Sequence, residues 1–295
     1  MSTGRWRCST PSCAPPPPRE VTRRVVLLAH PAGHSLSPAM HNAALDALGI
    51  DARYHALDVP PEGLGDAVAA LRGPEVVGAN VTIPHKQAVM RWLDGLSETA
   101  RDTGAVNTVT RDGGRLIGDN TDGEGFMLAL AELGLDPAAS ACVVLGAGGA
   151  ARAVTRALLR AGARVALHNR TAARARALAD DLARIGTVTV LRPEELAGAV
   201  EEAALLVQAT PLGMAGAAPG ASPLSPGVLP RAGAVVDLVY RPAETSLLAA
   251  ARAAGLRAQN GLPMLVAQAG LAFERWFDVP PPFDIMRRAA LAALA

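Results

Sequence analysis

A single lysine stands in this chain. Of its 28 basic side chains, 27 are arginines, and the exception is Lys86 in the segment Gly78-Ala79-Asn80-Val81-Thr82-Ile83-Pro84-His85-Lys86. Arginine stays protonated at any working pH, whereas a lysine can be tuned to exchange its proton. An isolated lysine is otherwise an ordinary surface residue, and its being alone here raises the acid–base reading. Asn80 and Thr82 are two residues apart, hence on one face of a strand, so both can point into a cleft. An acidic motif, Gly118-Asp119-Asn120-Thr121-Asp122-Gly123, precedes a helical pattern over residues 124–133. Asp122 reads either as a helix cap or as a carboxylate that pairs with Lys86 and tunes its proton exchange. In Pro31-Ala32-Gly33-His34-Ser35-Leu36-Ser37-Pro38, Ser37 reads as an N-cap with Pro38 at the first helical position. Ser35 and Ser37 beside a helix N-terminus can also hold a ligand carboxylate. His34 reads as a local hydrogen-bonding loop residue.

A second chemistry is written in glycine. Ala141-Cys142-Val143-Val144-Leu145 runs into Gly146-Ala147-Gly148-Gly149-Ala150-Ala151, the pattern G-x-G-x-x-A between a strand and a helix. The first two glycines allow a tight turn and close backbone approach to a pyrophosphate. The small final residue lets helix and strand pack closely, and the helix N-terminus supplies amide donors. The next strand ends in His168-Asn169-Arg170-Thr171, with Arg174 one turn on. An NAD site usually carries a carboxylate at that point, for the ribose 2′-hydroxyl. Two guanidinium groups instead match a 2′-phosphate in charge and geometry, so NADP is the expected cofactor. An arginine-rich, solvated helix start is the plainer alternative.

These residues must be positioned by alternating strands and helices. Strands are expected at 25–28, 54–59, 76–81 and, in a second set, at 141–145, 164–168, 188–191, 205–209 and 234–238. Helices are expected at 39–48, 64–71, after Pro84, at 124–133, between most strands of the second set, and at 261–277 and 284–295. Residues 106–110 and 115–118 flank Asp112-Gly113-Gly114 and read as a small hairpin. This rhythm implies an α/β fold with mostly parallel sheets. At 295 residues the chain is long enough for about two domains. Residues 1–22, with Pro15-Pro16-Pro17-Pro18, read as a disordered extension; 213–226 reads as a mobile loop. The acidic and basic side chains nearly cancel, leaving a net charge of +1, which argues against a nucleic-acid or polybasic membrane partner. No apolar run approaches the ~20 residues of a membrane span. Three cysteines make no disulfide framework, and no metal site is expected at Cys8 and Cys13.

Together the motifs resemble the shikimate dehydrogenase family. The resemblance runs from about Val25 to the C-terminus. It is carried by His34-Ser35-Leu36-Ser37-Pro38, Asn80-Val81-Thr82-Ile83-Pro84-His85-Lys86, Gly104-Ala105-Val106-Asn107-Thr108 and Asp119-Asn120-Thr121-Asp122-Gly123. Gly146-Ala147-Gly148-Gly149-Ala150, Asn169-Arg170-Thr171 and Gly261-Leu262-Pro263-Met264-Leu265-Val266-Ala267-Gln268 follow in family order. The resemblance implies two α/β domains with a cleft between them: an N-terminal substrate domain and a Rossmann-type NADP-binding domain. The substrate domain would span 23–121 and be completed by 261–295, with the cofactor domain at 122–260. It implies Lys86 and Asp122 as the catalytic pair. Ser35 and Ser37 would bind the substrate carboxylate, Thr82, Asn107, Asp122 and Gln268 the ring hydroxyls, with Asn80 and Tyr240 lining the pocket. NADP would contact Gly146, Ala147, Gly148, Gly149 and Ala150, then Asn169, Arg170, Thr171 and Arg174, then Leu238 and Gly261, with Glu98 as a further candidate.

The implied reaction is the reversible NADPH-dependent reduction of 3-dehydroshikimate to shikimate by a cytoplasmic monomer or homodimer. The chain departs from the family's usual pattern with Ala29-His30 in place of Gly-Asn and Gln208-Ala209-Thr210 in place of Asn-Ala-Thr. Its N-terminal extension has no family counterpart. Three rival readings stand beside this one: an NAD-dependent quinate/shikimate dehydrogenase, a non-catalytic NADP-binding relative, and a glutamyl-tRNA reductase-like enzyme. The last would need a nucleophilic cysteine, and Cys142 lies in an expected core strand.

Overall fold

In the computed structural model, residues 23–33 and 35–294 are described; the readings of residues 1–22 as an extension and of His34 fall outside them. Short apolar runs make the buried strands, and the chain builds two six-stranded sheets from them. The first half contains β1 (Arg24–Ala29), α1 (Ser37–Leu48), β2 (Arg53–Asp58), α2 (Leu64–Ala70), β3 (Val76–Val81), β4 (Gly95–Leu96), α3 (Glu98–Thr103), β5 (Thr108–Asp112) and β6 (Arg115–Asp119). Its sheet order is β2-β1-β3-β5-β6-β4. β2, β1 and β3 run parallel, while β5 and β6 pair antiparallel as the hairpin that Asp112-Gly113-Gly114 announces.

α4 (Asp122–Glu132) leads into the second half: β7 (Ala141–Leu145), α5 (Gly149–Arg160), β8 (Arg164–His168), α6 (Ala172–Leu182), β9 (Val188–Val190), α7 (Pro193–Glu201), β10 (Leu205–Gln208), β11 (Ala234–Asp237), α8 (Ser246–Ala253) and β12 (Arg257–Gln259). This sheet is parallel throughout in the order β12-β11-β10-β7-β8-β9. The order reverses between β7 and β10, which makes the carboxyl ends of those strands the ligand crevice of an open α/β sheet. The last two helices, α9 (Leu262–Phe277) and α10 (Phe283–Leu294), return to the first sheet. There Phe273, Trp276 and Met286 share a core with Met40, Leu45 and Tyr54.

Apolar cores lie on both faces of each sheet, so the inner parallel strands β1, β7 and β10 read as nearly unbroken apolar runs, while the edge strands β2, β9 and β12 are partly exposed. Against α9 the fit of α4 is close. A methyl group added at Gly125 would lie 2.7 Å from the Gln268 backbone nitrogen, so the two helix backbones approach as only glycine allows.

The structure departs from the sequence reading in three places. No α-helix follows Pro84: a turn leads to a single 3-10 stretch, Ala88–Trp92. The turn is closed by His85 N–H donating to Thr82 O, and the His85 ring is drawn inward to Val59 O. Ser37 is the first helical residue of α1 and not its cap; Leu36 occupies the cap position and supplies no capping side chain. β4, α3 and β12, which the periodicity does not announce, complete the sheet edges and link β6 to the second half.

Candidate active site

Lys86 emerges from the turn after β3, where its carbonyl accepts a 2.7 Å bond from Val106 N–H. With His85 anchored inward, the Lys86 side chain is turned toward the second half. Its stem lies against the start of α5: a methyl group at Gly149 would sit 3.2 Å from Lys86 Cδ. The ammonium donates to Asp122 Oδ2 at 2.6 Å. Lys86 is 15% exposed and Asp122 5%, so both charges are largely withdrawn from water but paired. Asp122 is the first residue of α4, where a carboxylate complements the helix dipole. Its backbone N–H is held by Asn120 Oδ1 at 3.0 Å, and Asn120 in turn donates to Ala105 O. Asp122 is therefore not acting as the cap of α4. Both its oxygens are engaged, because Oδ1 accepts Asn107 Nδ2 at 2.9 Å.

Around this pair the structure gathers most of the polar residues singled out in the sequence. Asn107 also donates toward Gln268 Oε1, bringing α9 to the same point. Thr121, which the sequence reading passed over, donates to Gln268 O and bonds Asn107. Thr82 is half-buried at the end of β3 and makes no side-chain bond among the described residues. Ser35 Oγ accepts the Ser37 N–H at 3.2 Å, and the Ser37 hydroxyl lies beside the Tyr54 phenol. Asn80 is placed differently from its expected cleft-facing role. It is buried, and its amide is spent on Tyr54, the Asn107 carbonyl and Thr108. Tyr240 is half-buried against the core that α1 and α9 share, and burial pushes its hydroxyl pKa up.

The glycine loop has the form its chemistry requires. Gly146 takes φ +115°, and a methyl group there would lie 2.9 Å from Ala209 O, so this turn admits only glycine. Nothing stands within 4 Å of the position a side chain would take at Gly148, which leaves the start of α5 open to a ligand. Ala147 and Ala150 are half-buried beside it, and Ala151 is fully buried between helix and strand. Asn169 closes the turn after β8 through Thr171 O. Arg170 and Arg174 project exposed at the start of α6 and make no ion pair among the described residues. Leu238, just past β11, lies so close to Gly261 that any side chain there would overlap its carbonyl oxygen.

Glu98 is not brought to this loop. It pairs with Arg160, the last residue of α5, about 17 Å along the helix from its N-terminus.

The departures at 29–30 and 208–210 find local partners. His30 Nδ1 bonds Asp58 at 2.6 Å, and the Gln208 amide ties together Thr210 and Leu212 at the mouth of β10. Cys142 is buried in β7, and burial pushes its thiol up to about 11, which suits a packing residue and not a nucleophile. Among the described residues no group of three or more metal-ligating side chains comes together.

Family models match along the chain: one described as the shikimate dehydrogenase substrate binding domain at residues 27–109, one as shikimate / quinate 5-dehydrogenase at 128–213, and one as the shikimate 5'-dehydrogenase C-terminal domain at 261–291. The shikimate dehydrogenase (NADP(+)) of Symbiobacterium thermophilum is 53% identical over 274 residues, covering 91% of this chain and 93% of that protein. The chain belongs to the shikimate dehydrogenase family. A shikimate dehydrogenase of Thermus thermophilus, solved in complex with NADP(H) and shikimate, superposes with a TM-score of 0.85 at 44% identity, covering 92% of this chain and 100% of that one. The quinate dehydrogenase of Corynebacterium glutamicum, solved with NAD, gives the same TM-score of 0.85 at 33% identity, covering 92% and 99%. Backbone likeness thus spans two substrates and two cofactors, and the choice between them falls to side chains.

Proposed function

We propose that this shikimate dehydrogenase relative reversibly reduces 3-dehydroshikimate to shikimate, with NADPH as its redox partner. The observation that carries the reading is the Lys86–Asp122 pair, 2.6 Å apart, with the lysine stem lying against the glycine loop of the second sheet. The chain's residues fit the dinucleotide: an open approach at Gly148, the N-terminus of α5 for the pyrophosphate, and Arg170 and Arg174, without ion pairs among the described residues, for a 2′-phosphate. When bound, NADPH supplies the hydride.

The protein's own work is positioning and proton control. Lys86 Nζ donates its proton to the oxygen that becomes the shikimate hydroxyl, and its charge stabilises that oxygen as negative charge develops. Asp122 holds the ammonium at the reaction point and accepts from a neighbouring ring hydroxyl. Asn107, Gln268 and Thr82 complete the hydroxyl contacts, Tyr240 borders them, and Ser35 and Ser37 take the carboxylate. Asn80 supports the pocket from behind. Leu238 and Gly261 stand at the crevice end of β11, on the nicotinamide side, while Ala147, Gly149, Ala150, Asn169 and Thr171 frame the rest of the dinucleotide.

In this reading residues 23–121 with 261–295 form the substrate domain and 122–260 the cofactor domain, with α4 packed against both α5 and α9. The near-neutral chain would act in the cytoplasm as a monomer or homodimer on small molecules. No helix of the described residues is long and apolar enough to cross a membrane. The deciding assay follows NADPH absorbance with 3-dehydroshikimate beside the same assay with NADH, and compares shikimate with quinate in reverse. Faster turnover with NADPH and shikimate is expected; preference for NADH or for quinate would overturn the assignment.

A further inference from the structure

Behind the reacting pair runs a line of side chains that ends at Asn107 and begins with residues, Tyr54 and Thr108, to which the reaction gives no direct part. The Tyr54 hydroxyl, buried at the second position of β2, donates to Asn80 Oδ1 at 2.8 Å. Asn80 Nδ2 donates onward to Thr108 Oγ1 at 3.4 Å and to the Asn107 carbonyl at 3.0 Å. Thr108 Oγ1 donates to Asn107 Oδ1 at 2.9 Å, and Asn107 Nδ2 donates to Asp122 Oδ1 at 2.9 Å. Each donor thus points the same way, from the edge of the first sheet to the carboxylate that holds Lys86.

The direction matters because an amide has two faces of opposite polarity. With Asn107 turned over, its carbonyl oxygen would face Asp122 and repel it. Donors on the far side decide against that: Thr108 Oγ1 and the Thr121 N–H both point at Asn107 Oδ1, each at 2.9 Å. Thr108 serves when its single proton goes to Asn107: the Asn80 amide fills an acceptor side of the hydroxyl, and Asn107 Oδ1 at 2.9 Å is a nearer acceptor than Thr121 Oγ1 at 3.5 Å. Asn80 is oriented in turn by Tyr54, whose burial keeps its phenol protonated, so it remains a donor. Bonds aligned head to tail polarise one another, and in a site sheltered from water each strengthens the next.

We propose that Tyr54 and Thr108 are positioning residues for the reaction: through Asn80 and Asn107 they fix which face of the Asn107 amide meets Asp122, and so hold the carboxylate, and with it Lys86, in its working geometry. The inference rests on the reading of Lys86 and Asp122 as the reacting pair.

Its test is a kinetic series on the full-length enzyme. Thr108→Val keeps the side-chain shape and removes the hydroxyl. It should lower kcat about tenfold, as expected for weakening one hydrogen bond to a charged group, while NADPH affinity stays at the wild-type value. Thr108→Ser should restore turnover. Tyr54→Phe, two links further away, should lower kcat by a smaller factor of about three. In an Asn107→Ala background, Thr108→Val should have no further effect, because its route to Asp122 is already cut.

Wild-type kcat in Thr108→Val, an undiminished cost in the Asn107→Ala background, or failure of Thr108→Ser to recover turnover would each overturn the proposal. Should Thr108→Val not fold, Tyr54→Phe decides by the same criteria. Lys86→Ala and Asp122→Asn are measured alongside. If they retain turnover, the site reading itself fails; if they lose it and Thr108→Val does not, only the positioning role does.

Discussion

The singular lysine is decided by its neighbours. At position 86 an arginine would keep the positive charge and the bond to Asp122 but would not give up its proton at neutral pH. Lys86→Arg is therefore expected to lower kcat by roughly a hundredfold or more, the usual scale of general acid catalysis, with the KM for shikimate little changed; steady-state kinetics in both directions measures this. Arg170 has no ion-pair partner among the described residues, so its removal breaks no internal salt bridge there. Arg170→Ala should weaken NADPH binding by roughly tenfold or more, the loss of one charge-assisted bond to a phosphate, and leave NADH unchanged. Fluorescence titration of both nucleotides would show it, and equal weakening of the two would refute the 2′-phosphate role. At this scale the sequence was readable where chemistry needs a rare residue type. It was unreadable where a side chain turns inward: Asn80 shares a strand face with Thr82, yet nothing in the spacing reveals that Tyr54 waits 26 positions upstream to claim its amide.

At the scale of elements, β1, β3 and the strand–glycine–helix unit at 141–160 lie where the apolar runs place them, because a buried parallel strand needs only a continuous run and a punctuating glycine. α3 escaped because six residues give less than two turns of periodicity. The stretch after Pro84 misled because its helical composition is overruled by a turn that aims Lys86. An aromatic stack shows what joins these pieces. His41 of α1 lies 4.4 Å from the Tyr54 ring and within reach of Phe273 and Trp276 from α9. Neither ring nitrogen makes a hydrogen bond among the described residues; burial lowers its pKa from 6.5 to about 3, with the nearby Asn80 side chain opposing the shift only in part. Between those two values the unfolded chain takes up a proton that the folded one refuses. Stability should thus fall as pH drops from 6.5 toward 3, by up to ~1.4 kcal/mol per pH unit from this group, with no contribution above. In His41→Phe, which keeps a ring in the stack, urea denaturation from pH 6.5 to 4 should show a shallower loss.

For the whole molecule, the two sheets are joined by charge as well as by α4 and α9. Asp102 of α3 is 0% exposed and bonded by Arg156 and Arg160 of α5 and by Arg184 beyond α6. Arg152, one turn before Arg156, reaches Thr103 O and pairs with Asp181. The spacing 152, 156, 160 places these arginines on one helix face, but the carboxylate that Arg156 and Arg160 share lies more than fifty residues upstream, where spacing does not reveal it. Asp102→Asn leaves three guanidinium groups facing one another across the junction. The cost should fall toward the lower end of the about 3–5 kcal/mol for breaking a buried pair, since Arg160 and Arg184 are half exposed or more; chemical denaturation checks it. The contact between Gly149 and the Lys86 stem carries a further consequence. A chimera that grafts a foreign dinucleotide module onto this substrate half inherits a constraint beyond nucleotide binding. Any side chain larger than hydrogen at that junction would jostle the proton donor, so such hybrids should fail or succeed at this glycine even where their nucleotide affinity is intact.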